Sequence, residues 1–284
     1  MTTMIPYHAK ECQYRVLLAS ADKAQIFPYI RAPYGPHTFF SVSTEHGRSF
    51  VIGKNEDGRW VVSKGNGLCY TEYSFIHTGE FGDDTLGLLL LSDAKRDFLL
   101  GQEIEKLGVK TNHMEYVIML EKELRLMNGH IVKPVLLQYN VECPYRISDA
   151  AYMSHDIIEE EIQKWKVNND NHFDAYYMIA ANVLIKNLRI LHDNQILHNA
   201  IHEQNYTWAL ELLDFELACS PAHPYDKKDY QRHVKSLFPR EIFQTYVIIC
   251  QIADILHERV NQTEVVDLFK YYNFNIEQYA VNNL

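Results

Sequence analysis

Two stretches in the second half of the chain constrain its fold most. DAYYMIAANVLIKNLRILHDN (Asp174 to Asn194) and REIFQTYVIICQIADILHERV (Arg240 to Val260) carry apolar residues too densely for a helix with one wet face. Both are expected to be core helices, so this half must build a helical core. The first half has a different rhythm. From Thr38 to Lys64 the pieces TFFSVS, RSFVIGK and RWVVSKG are broken by Glu45-His46-Gly47 and Asn55-Glu56-Asp57-Gly58, where the Asp-Gly pair signals a hairpin. An antiparallel meander is expected, then a β segment from Leu86 to Leu91. SDAKRDFLLGQEIEKLG then predicts a helix near 92–107, capped by Ser92, with Phe98, Leu99 and Leu107 on one face and Gly108 ending it. EYVIML and KPVLLQYN read as two further strands around Met127-Asn128-Gly129.

The character changes near Val141 to Asp149. The fold class expected is α+β in two lobes: 1–145 an antiparallel sheet with one helix, and 146–284 mainly helical. Gln163 to Asp174 reads as a polar connection, and the Tyr-rich pieces YRVLL and DLFKYYNFNIEQYA read as packing or surface.

At 284 residues and 47% hydrophobic, the chain can bury a sizeable core. Its net charge of −10 argues against a broad nucleic-acid surface, which needs clustered Lys and Arg. No apolar run is long enough to span a bilayer, and Met1 to Tyr14 has no signal-like hydrophobic stretch, so a cytoplasmic protein without membrane partners is expected. Cys12, Cys69, Cys143, Cys219 and Cys250 include no C-x-x-C pair and read as free thiols.

Chemistry concentrates in ILHNAIHEQNYTWALELLDFELA, Ile196 to Ala218. Asn205 and Asp214, delivered by adjacent strands or a tight hairpin, offer the oxygen ligands that Mg²⁺ or Mn²⁺ prefers between nucleotide phosphates. Taken singly, an Asn in a turn and an Asp at a cap are ordinary; their order after a long apolar helix and a His is that of a kinase-like catalytic loop and metal loop. In the first half, Lys64 ends a β run, Asp97 lies in the next helix where it can pair with that ammonium group, and Gly65 and Gly67 allow close approach of the backbone to a phosphate.

These pieces resemble the selenoprotein O family, kinase-fold proteins that transfer AMP from ATP to protein hydroxyls. SKGNG is similar to that family's Leu-Lys-Gly-Ala-Gly, which implies that Lys64 binds phosphate. RDFLL and LGVKT resemble Arg-Glu-Phe-Leu and Leu-Gly-Ile-Pro-Thr, with Asp97 in place of the Glu that pairs with Lys. PYRIS resembles a segment ending Leu-Arg-Phe-Gly and implies a phosphate contact for Arg146. HNAIHEQN followed by LLDFE has the spacing of His-Gly-Val-Met-Asn-Thr-Asp-Asn and Ile-Asp-Tyr-Gly, which carries the two metal positions onto Asn205 and Asp214.

The catalytic base of that family falls on Gln204, which cannot accept a proton at neutral pH. His202 and Glu203 are the neighbouring candidates for the role. Resemblance runs from about Gly47 to Glu216, and the 284 residues hold no counterpart of the family's long C-terminal part. The expectation is therefore an ATP- and Mg²⁺-dependent transferase acting on a protein hydroxyl or a small-molecule acceptor. Two alternatives stay open: a pseudokinase acting as a nucleotide-binding regulatory module, motivated by Gln204, and a small-molecule kinase resembling aminoglycoside phosphotransferases, motivated by Asp214-Phe215-Glu216.

Overall fold

The computed structural model describes residues 4–20, 24–31, 38–43, 49–67, 87–125, 129, 131–167, 173–224 and 230–276. The expected turn at Glu45-His46-Gly47, Cys69, Leu86, Met127 and Asn128 lie outside them. The chain divides into two compact units. One comprises Met1–Gln102, Asn112–Tyr145 and Ala151–Met153; the other comprises Glu103–Thr111, Arg146–Ala150 and Ser154–Leu284.

The first unit is built on strands β1 (Met4–Glu11), β2 (Tyr14–Ala19), β3 (Tyr29–Arg31), β4 (Thr38–Ser43), β5 (Ser49–Lys54), β6 (Trp60–Lys64) and β7 (His113–Leu120). A small hairpin, β8 (Leu124–Arg125) and β9 (Ile131–Val132), precedes β10 (Val135–Val141). Eight of these strands form one antiparallel sheet in the order β2-β7-β10-β6-β5-β4-β1-β3. The β5–β6 turn forms where Asn55 and Gly58 direct it. Gly58 takes φ +79° and donates to the Asn55 carbonyl, while Asn55 Oδ1 accepts from the Arg59 amide at 2.9 Å.

Register fixes what each sheet face carries. Lys64 pairs with Leu137, and Ser63 with Gln138. Because side chains alternate across a strand, Lys64 lies on one face and Gln138 with Asn140 on the other. The segment 24–28 is held to that second face by Gln138: its Oε1 accepts from the Phe27 amide at 3.0 Å and its Nε2 donates to the Gln25 carbonyl at 2.7 Å.

Helix α1 spans Leu91–Lys106 and stops at Gly108, φ +84°. The expected β segment from Leu86 to Leu91 is not a strand: within the described residues it holds one isolated bridge, Leu89 to Val135, and Leu91 is already helical. A short apolar run fits either state, and here a 16-residue helix wins the end of it. The cap expectation also fails, since the Ser92 hydroxyl bonds to Asp93 Oδ1. Ala94, Phe98, Leu100 and Ile104 are buried, whereas Leu99, expected on the buried face, is 37% exposed.

The second unit holds α2 (His155–Val167), α3 (Tyr176–Asp193), α4 (Tyr230–Ile255) and α5 (Gln262–Tyr271). Helix α3 buries 12 of its 18 residues, as its apolar density requires, and packs against α4 and α5. Helix α2 corrects the expectation of a connection beginning at Gln163. Ile158, Ile162 and Trp165 recur at helical spacing and are buried, and the Trp165 ring meets Tyr176 edge-on with centroids 6.0 Å apart. Cys12, Cys143, Cys219 and Cys250 are free thiols. No helix among the described residues is long and apolar enough to cross a membrane.

Candidate functional site

In the first unit, Lys64 and Asp97 are brought together. Lys64 Nζ lies 3.0 Å from Asp97 Oδ2, with side chains only 3% and 2% exposed, so the pair is desolvated. Gly65 follows Lys64 at φ +95°. A Cβ there would fall 2.5 Å from the Val135 carbonyl and 2.8 Å from Leu89 Cβ, so glycine is required by packing against β10 as well as by its backbone angle. Gly67, φ +96°, donates to the Gly87 carbonyl at 3.1 Å. Both glycines belong to a buried turn.

In the second unit, 196–218 is a set of mutually braced loops. Leu197 and Cys219 exchange backbone hydrogen bonds at 3.0 and 2.9 Å, and Tyr206 bridges to Leu212. Leu213 connects the two metal-ligand candidates. Its amide donates to the Asn205 carbonyl at 2.9 Å, and its carbonyl accepts from His198 Nε2 at 2.8 Å. With both polar groups of Leu213 taken, the next residue, Asp214, is held in the left-handed region at φ +68°, which Asp tolerates better than most side chains.

Asn205 is 3% exposed, and its Nδ2 donates to the Ala200 carbonyl at 3.0 Å and lies 3.4 Å from His202 Nε2. The amide is thereby oriented with Oδ1 as the atom left for a cation. Asp214 and Glu216 offer carboxylate oxygens within 4.8 Å of each other. Oxygen donors of this kind suit Mg²⁺ or Mn²⁺. In the sequence Glu216 stands out only as part of Asp214-Phe215-Glu216, and no spacing rule marks it as a second carboxylate beside Asp214. The turn at 214 brings it there.

Arg146, 8% exposed, lies under the loop. Its amide donates to Asp149 Oδ2 and its Nη1 donates to the Gln204 carbonyl, both at 2.7 Å. Together with the Ile147 amide bond to the Tyr206 carbonyl at 2.8 Å, this ties down the 3-10 turn Glu203–Asn205. Gln204 is tied through its backbone while its side chain is exposed, and Glu203 is half-buried.

Burial pushes both histidines of the loop below the usual imidazole range. His198, fully buried, accepts the Ala200 amide at Nδ1 (3.3 Å) and uses Nε2–H for Leu213, so it is neutral. His202 is lowered mainly by burial, partly opposed by Glu203 and Asp214. The unfolded chain therefore takes up protons at these positions before the folded one does. Stability is unaffected by them well above pH 6.5 and is lost as pH falls from about 6.5 toward the folded values. In calorimetry the Tm should decline between pH 7 and 5, and His202→Gln should make that decline shallower. An unchanged slope would exclude His202 from the acid response.

No family model matches the chain, and no curated protein matches it. Among solved structures, the chain is similar to one chain of the yeast RNA Pol II CTD kinase CTDK-1 complex. That match has 14% sequence identity and a TM-score of 0.29 and covers 72% of this chain; the chain spans 50% of the matched one.

Proposed function

We propose that this protein is an ATP- and Mg²⁺-dependent transferase of kinase-like fold, with Asn205 and Asp214 as metal ligands and Lys64, oriented by Asp97, as a phosphate-binding group. The observation that carries the proposal is the clamping of Leu213 on both sides, which sets Asp214 beside Asn205. A carboxylate fixed in left-handed backbone next to a buried, oriented amide is an over-determined geometry of the kind found at ligand sites, and it supports this reading. The buried Lys64–Asp97 pair adds support, because such pairs add little stability for their desolvation cost.

The register of the resemblance is supported by Asn199. It stands where the family motif has Gly, and its φ is +67°, an angle that Gly and Asn adopt most readily. The nucleotide supplies the group to be transferred; the chain's part is to position it and stabilise charge, a task in which a general base contributes the smaller share. AMP transfer to a protein hydroxyl is the specific reaction that the resemblance favours.

A second reading is favoured by Gln204. With no carboxylate at the base position, and that backbone held by Arg146, the chain would bind ATP and act as a regulatory module. Incubation with Mg²⁺ or Mn²⁺ and ATP labelled at the α- or γ-phosphate separates these outcomes, with Asp214→Ala as control. Label from α-ATP on protein, lost in the variant, supports AMP transfer. Label from γ-ATP on protein or on a small acceptor makes the chain a kinase, and metal-dependent ATP binding without label supports the regulatory module. Absence of metal-dependent ATP binding overturns the whole proposal.

A further inference from the structure

The sheet face opposite Lys64 carries a cavity of about 530 Å³, inside the first unit. Its floor is unusual for a sheet. Glu115 is 2% exposed, and its oxygens accept from Gln138 Nε2 at 2.6 Å and Asn140 Nδ2 at 2.9 Å. Both donors are neutral amides. Among the described residues, no basic side chain lies within ion-pair distance of the Glu115 carboxylate. Arg59 stops one step short, with Nε donating to Asn140 Oδ1 and Nη1 at 3.5 Å from Glu142.

A buried carboxylate without a counter-charge is costly, and two accepted hydrogen bonds leave about half its lone-pair sites unused. The rest of the lining is matched to a particular kind of guest. Phe27, Ile52 and Val61 supply an apolar wall, and Glu56 and Asp57 add negative charge in the β5–β6 turn. Lys54 also lines the cavity, but its ammonium group is engaged over the Trp60 ring, 5.2 Å from the centroid. The volume is that of a small-molecule site.

We propose that this cavity binds a small organic cation: an ammonium group seated at Glu115 with an apolar body against Phe27, Ile52 and Val61. The amide pair Gln138 and Asn140 presets the carboxylate, so the site needs little reorganisation when the cation arrives. An anionic guest is disfavoured by Glu56, Asp57 and Glu115 together. This site is separate from the nucleotide reading, since Lys64 lies on the other face of the sheet.

The test uses the full chain, isotope-labelled and titrated with 2-phenylethylammonium, 2-phenylethanol and 3-phenylpropionate while amide shifts are followed. The expected result is saturable shifts at His113, Glu115 and Asn140, with the ammonium compound binding at least about tenfold more tightly than the alcohol, and the carboxylate weakest. Glu115→Gln should remove about tenfold or more of the ammonium affinity and leave the alcohol unaffected. Ile52→Trp, which fills the cavity and leaves Glu115 in place, should abolish binding of all three. The proposal is overturned if the alcohol binds as well as the ammonium, if shifts map away from these residues, or if no saturation occurs by about 10 mM. Should Glu115→Gln fail to fold, retained ammonium binding by Ile52→Trp overturns the proposal and lost binding supports it.

Discussion

Lys64→Met is expected to destabilise the first unit by about 3–5 kcal/mol, as is Asp97→Leu, whereas the two substitutions together return stability to within about 1–2 kcal/mol of the parent. At 3.0 Å, and with an effective dielectric constant near 20, the charges attract each other by about 5 kcal/mol. Removing one partner loses that attraction and leaves the other charge desolvated at 2–3% exposure. Removing both deletes the desolvation cost as well. Urea unfolding of the four proteins measures the coupling directly.

The same double variant separates structure from ligand binding. If Lys64 serves phosphate, the refolded double variant still lacks metal-dependent ATP binding. Parental ATP affinity in that variant would remove Lys64 from the proposed site while leaving the stability argument intact.

What the sequence discloses depends on how local the cause is. The β5–β6 turn was legible because Asn55 and Gly58 direct it through bonds within five residues. Helix α3 is legible because its apolar density admits no other placement, whereas α4 is legible only in its apolar centre: it begins at Tyr230, before the dense stretch, and ends at Ile255 instead of Val260. By contrast, β1, β2 and β3 are not legible as strands. β2 lies at the edge of the sheet opposite β1 and β3, and its Tyr14 and Val16 are exposed, which blurs the alternation. Helix α2 did carry a signal, Ile158, Ile162 and Trp165, but the polar residues around it masked the period.

The candidate site divides the same way. Lys64 and Asp97, 33 residues apart, could be paired from residue type and position, and the Ile196 to Ala218 stretch stood out by its composition. The bracing was hidden. Nothing in PYRIS indicates that the Arg146 guanidinium reaches the Gln204 carbonyl 58 residues later, and nothing in the alternation of β7 and β10 indicates that Glu115 rests on two amides above a cavity.

The strongest expected effect in the second unit comes from Glu241, which is fully buried in α4 two residues after Pro239. One carboxylate oxygen lies 3.0 Å from His192 Nε2 in α3; the other accepts the Asn199 amide at 2.7 Å. His192 is stacked on Phe238 at 3.8 Å, so the imidazole cannot swing away to find another partner. Asn199 is held in turn through its side chain, which donates to the Leu217 carbonyl at 2.9 Å and accepts from Arg240 at 3.0 Å. One carboxylate therefore joins two core helices to the loop that carries Asn205.

Glu241→Ala removes both acceptors from a fully buried site. The expected loss is about 3–5 kcal/mol, a fall in Tm on the order of 10 °C. Glu241→Gln keeps the shape and one acceptor but turns an N–H₂ toward the second donor, for a loss of about 1–3 kcal/mol. Amide hydrogen exchange should then rise at 197–205 in the Gln variant before it rises in the centre of α3, because the loop hangs on Glu241 while α3 retains its packing. Uniform acceleration across both segments would mean that Glu241 acts only on global stability, and that the loop is held by its own contacts.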